Sequence, residues 1–104
     1  MMTNEEMRSM LSSAIAERDW LNAVNDIIIY EIKNGRAENE ATINNIKEYL
    51  SINGMGLEVA AMTNLKAISN YIFEKICEIK KRMNSLYGQK ADSLNDPYYR
   101  YLNR

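Results

Sequence analysis

Two Asn-Gly pairs, Asn34-Gly35 and Asn53-Gly54, and a Tyr87-Gly88 step interrupt a chain whose apolar residues otherwise recur every three or four positions. Asparagine and glycine tolerate the left-handed backbone that closes a helix's last turn, so each pair reads as a helix stop. The segments between them lack the strict alternation of a strand. The spacing predicts an all-α fold, an antiparallel helical bundle of two long helices and one shorter helix over residues 1–88. A C-terminal tail with a short helical turn follows over 89–104.

The first helix is predicted over Asn4 to Lys33. Thr3 is a good N-cap, and Glu6 three residues later completes a capping box. Met7, Leu11, Ala14, Ile15, Leu21, Val24, Ile28 and Ile32 form one apolar stripe, widened by Trp20 and Ile27. At 1.5 Å per residue this rod is about 45 Å long, more than a compact chain of this size needs. A second helix is predicted over Glu40 to Ile52, capped by Asn39, with Ile43, Ile46, Tyr49 and Leu50 inward. The short connection before it folds it back on the first. A third is predicted from Leu57 to Leu86, with Ala61, Leu65, Ile68, Ile72, Ile76, Ile79 and Met83 near a heptad seam. Thr63-Asn64 is the candidate kink or break, because both residues are only fair helix formers. Glu78 is placed to pair with Lys81 and Arg82.

A chain of 104 residues suits one domain with a modest core. Its net charge of −1 argues against a dedicated nucleic-acid binder, which draws its affinity from phosphate neutralisation. Residues 1–33 carry six acids against three bases, and residues 55–88 five bases against three acids. Opposite signs favour antiparallel pairing of the two long helices, weakly where the charges are exposed. Cys77 is the single cysteine, so an intrachain disulfide is ruled out and a reducing cytoplasm is the expected setting. The N-terminus shows no secretory pattern, and Ile27-Ile28-Ile29-Tyr30 is too short to span a bilayer.

The chain has no histidine, which removes the commonest general base and transition-metal ligand. One cysteine cannot build a zinc site. No phosphate-binding or nucleophile-elbow motif is present, and the paired acids (Glu5-Glu6, Glu17 with Asp19, Glu38 with Glu40) read as caps and solvated faces. A non-enzymatic protein with neither cofactor nor metal is therefore expected. Residues 58–72 loosely resemble a helix-turn-helix in which Lys66, Ser69 and Asn70 would face a groove. The turn is short and lacks glycine, however, and the heptad runs through it, so a continuous helix is predicted instead.

Two features point to binding. Consecutive isoleucines on a helix point about 100° apart, so Ile27, Ile28 and Ile29, with Trp20 and Ile32, are predicted to form a homo-oligomer interface. The tail residues Tyr98, Tyr99, Arg100 and Tyr101, with the basic run Lys80, Lys81 and Arg82, are the predicted partner-binding residues. Tyrosine and arginine concentrate binding energy at interfaces. The expected function is a non-catalytic regulatory protein, such as a phage or mobile-element inhibitor that occupies a surface of a host protein. The alternatives are an oligomeric sponge for an anionic nucleotide and a DNA-binding regulator using residues 58–72.

Overall fold

The computed structural model describes residues 3–87. They form four helices, α1 (Asn4–Lys33), α2 (Glu40–Ile52), α3 (Gly56–Val59) and α4 (Leu65–Tyr87), and no strand occurs among the described residues. The 89–104 tail, with Tyr98, Tyr99, Arg100 and Tyr101, lies outside them.

α1 begins as its sequence dictates. The Glu6 amide donates to Thr3 Oγ1 at 3.1 Å. The Glu6 carboxylate accepts from the Thr3 hydroxyl at 3.2 Å, whereas a full capping box would direct it to the Thr3 amide. α2 begins at Asn39, whose side-chain oxygen accepts from the Thr42 amide at 3.0 Å. Between the two helices Gly35 takes φ +78°. Arg36 closes the turn by donating through Nε to the Glu31 carboxylate. That hydrogen bond, reinforced by the paired charges, holds the Glu31 carboxyl below its usual range and Arg36 above its own.

The predicted third helix is not continuous. It divides into the single turn of α3 and the long α4, separated by residues 60–64. Asn64 is the cause. Its side-chain oxygen accepts from the Lys66 amide at 2.8 Å, and its carbonyl accepts from Ala67 at 3.1 Å, so it caps α4 instead of extending a helix through itself. The backbone groups that leave the helical ladder find tertiary partners. The Leu65 amide donates to the Ala37 carbonyl at 2.8 Å, and Lys47 Nζ donates to the Ala60 carbonyl at 2.8 Å. Ala61, predicted to lie on the inner seam, is exposed as a result.

α1 and α4 run antiparallel and share the main contact of the molecule. Asn25 faces Ser69, which donates to it through Oγ at 2.7 Å, while Glu17 meets Arg82 at 3.5 Å further along. That ion pair is half exposed on both sides and contributes little to stability. The core is the seam itself. Leu11, Leu21, Ile28, Leu65, Ile68, Ile72 and Met83 are fully buried, with Ile46, Leu50 and Val59 added from α2 and α3. The stripe on α1 has a seven-residue gap between Ala14 and Leu21, and Arg18 fills it. Arg18 is 7% exposed, with its guanidinium on Asp19 Oδ1 at 3.2 Å.

The principal extents are 49 × 24 × 15 Å. Helices are about 10 Å across with side chains, so the molecule is a rod of few helical layers. Asn53, at the end of α2, lies beside Trp20 in a shared cavity. α2 therefore flanks the second half of α1 and stops there, because 13 residues reach only about 20 Å.

Candidate binding surface

A helix residue faces about 100° away from the one before it, and this separates the predicted interface residues. Ile28 points into the chain's own core and has no accessible surface, so it is not available to a second copy. Ile32 and Trp20 are half-buried, packed against the edge of that core. Ile27 and Ile29 stand on opposite flanks of Ile28, 45% and 39% exposed. The five residues thus do not share one face. Lys80 and Lys81 are exposed on α4, and Arg82 is drawn to Glu17.

Large apolar side chains are exposed elsewhere too. Ile52 ends α2 and Leu57 is the second residue of α3, on either side of the turn at Gly54 (φ +77°), and they are 77% and 92% exposed. Tyr49, one turn before Ile52 on α2, is about half exposed. The sequence signal for these two exposures was available. Ile52 is the last residue before an Asn-Gly stop, and Leu57 stands on the outer side of a turn whose inner side is Val59.

Besides a cleft lined by Asn44, Lys47, Glu48, Ser51, Gly56 and Ala60, two further clefts flank α2. One, of about 560 Å³, is bounded by Ser13, Ala16, Glu17, Trp20 and Asn53. The other, of about 330 Å³, lies between the start of α2 and the 60–64 segment and is lined by Glu38, Glu40, Ile43, Asn44, Lys47, Met62 and Thr63. In the second cleft Asn64 Nδ2 donates to Glu38 at 3.3 Å and Lys47 holds the Ala60 carbonyl, so Glu38 and Lys47 act as struts for the α2–α4 connection. Among the described residues, no three His, Cys, Asp or Glu side chains are grouped as a metal site would require. Ser69, a predicted groove reader, is engaged with Asn25, while Lys66 and Asn70 are exposed. No helix among the described residues is long and apolar enough to cross a membrane.

Sequence reasoning missed Tyr71. Its hydroxyl is buried without a hydrogen-bond partner, and Lys75 Nζ sits 5.7 Å from the ring centroid. Burial, with the carboxylates of Glu58, Glu78 and Glu17, pushes its ionisation above the usual tyrosine range. No protein-family profile matches the chain, and comparison with curated proteins and with solved structures gives no match.

Proposed function

We propose that this chain is a non-catalytic binding protein that acts by occupying a surface of another protein, in the manner of a small regulator or inhibitor from a phage or mobile element. The reading rests on two exposed aliphatic side chains, Ile52 and Leu57, at the two ends of the connection between α2 and α3. Burying a side chain of this size contributes roughly 1.5–3 kcal/mol, and two such side chains on a turn are a fitting anchor for an apolar pocket on a partner. Tyr49 on the same helix adds a ring with a polar tip, the chemistry that interfaces favour. The tail tyrosines and Arg100, together with Lys80 and Lys81, are proposed as further binding residues. A reducing cytoplasm suits its single cysteine.

The test compares the wild-type chain with an Ile52→Glu, Leu57→Glu double variant as bait in extract from the native host. Both positions are exposed, so circular dichroism of the variant should match the wild type. A protein recovered in fixed proportion by the wild type and lost with the variant is the expected result. Identical recoveries would remove Ile52 and Leu57 from the binding surface. A further variant with the four tail residues changed to alanine then separates the contribution of the tail.

A further inference from the structure

Asn34-Gly35 and Asn53-Gly54 close their helices with the same backbone motif. At the end of α1 the Gly35 amide donates to the Ile32 carbonyl at 3.0 Å and the Arg36 amide to the Glu31 carbonyl at 2.9 Å. At the end of α2 the Gly54 amide donates to Ser51 at 3.0 Å and the Met55 amide to Leu50 at 3.0 Å. These are the paired bonds of a Schellman stop, and both glycines take the positive φ that it requires. Both asparagines are exposed. Each turn is also moored beyond its glycine, the first by Arg36 on Glu31 and the second by the buried Met55.

The side-chain amides differ. Asn34 Nδ2 donates to the Tyr30 carbonyl at 2.7 Å, which latches this amide to the last turn of α1. The Asn53 side chain has no hydrogen-bond partner among the described residues, and it lines the cleft that holds Glu17 and Trp20.

We infer that Asn53-Gly54 is a site of spontaneous deamidation, and that the latch protects its twin at Asn34-Gly35. The Gly54 nitrogen attacks the side-chain carbonyl carbon of Asn53. The new N–C bond closes a five-membered succinimide, the Gly54 nitrogen gives up its proton, and the Asn53 amide nitrogen leaves as ammonia. Water then opens the ring at either carbonyl and leaves aspartate or isoaspartate at position 53. Glycine puts no Cβ in the way of the closing ring. The Gly54 nitrogen must first leave Ser51, so the reaction runs through opening of the end of α2, where residues 51–54 are all exposed. The matching turn of α1 must break one hydrogen bond more, from Asn34 to Tyr30. The new carboxylate stands at the negative end of α2 and shares its cleft with Glu17, so charge disfavours the folded product. Isoaspartate also adds a methylene to the backbone inside the stop, which pulls Gly54 and Met55 off their carbonyls. The chemistry does not depend on the binding role proposed for Ile52 and Leu57, and the two can fail independently.

The full chain is incubated at mildly alkaline pH, once folded and once in concentrated urea. Peptide mapping then follows both positions, with fragmentation that tells asparagine, aspartate and isoaspartate apart. Urea removes the latch, so the ratio of conversion at 53 to conversion at 34 is set there by local sequence. In the folded chain that ratio should be about fivefold higher, the worth of one hydrogen bond in an opening equilibrium. Asn53→Gln, whose cyclisation needs a six-membered ring, should stay unconverted at that position over the same time. A folded ratio within about twofold of the urea value or below it, or equal conversion of Asn53→Gln, would overturn the inference.

Discussion

Tyr71 places a hydroxyl inside the molecule where no acceptor reaches it. A buried polar group without a partner costs stability, so removing it is favourable. Tyr71→Phe should raise unfolding stability by about 0.5–1 kcal/mol, read as a higher urea midpoint at unchanged slope. A lower midpoint would show that the hydroxyl is satisfied after all. The direction of the pH effect follows from the raised ionisation, caused first by burial and then by three carboxylates. The folded state holds the Tyr71 proton more tightly than the unfolded chain does. Its contribution is therefore complete below the ordinary tyrosine value of about 10 and is lost as pH rises beyond it. The wild-type chain should lose more stability than Tyr71→Phe between about pH 10 and 12. Arg18 makes a related point about side-chain choice. It occupies a core-facing step on α1 where the apolar stripe skips, and its aliphatic stem supplies the packing that a leucine would otherwise give.

At the scale of elements, Asn64 decides where α4 starts. Asn64→Ala removes the side-chain acceptor for the Lys66 amide and should cost about 1 kcal/mol, within a range of 0.5–2. In a domain of this size that lowers Tm by roughly 4–8 °C. An unchanged Tm would show that the contacts from Ala37 and Lys47 hold the break by themselves. Much of this architecture was legible beforehand. α1 and α2 begin and end where Thr3, Asn39 and the two Asn-Gly pairs place them, because caps and stops are encoded within a few neighbouring residues. The break before α4 was legible only as a weakness at Thr63-Asn64. Apolar spacing continues across it, and what ends the helix is a cap stabilised by partners that lie far away in sequence, at Ala37 and Glu38. The pairing of Glu78 was misread for a similar reason. Lys75, one turn earlier, takes it at 3.7 Å, and Arg82 turns instead to Glu17 on α1. The binding residues were less legible still. Ile28 was read both as part of α1's apolar stripe and as an interface residue, and the structure keeps only the first role, with Ile27 and Ile29 on the two flanks.

At the scale of the whole molecule, one long pair of helices carries most of the burial, and α2 supports only part of it. α2 flanks α1 from Lys33 back to Trp20, where Asn53 ends its reach. Among the described residues, the first turns of α1 have α4 as their main helical neighbour. Cohesion is therefore graded along the long axis, and backbone opening should follow the same gradient. In deuterium exchange on the isolated monomer, amides of the first four turns of α1 should label ahead of those from Val24 to Ile32, since local opening is easiest where buried contacts are fewest. Uniform protection along α1 would mean that the rod opens as a single unit. Among the described residues, the short reach of α2 thus leaves one end of the rod with a second helical brace and the other without it.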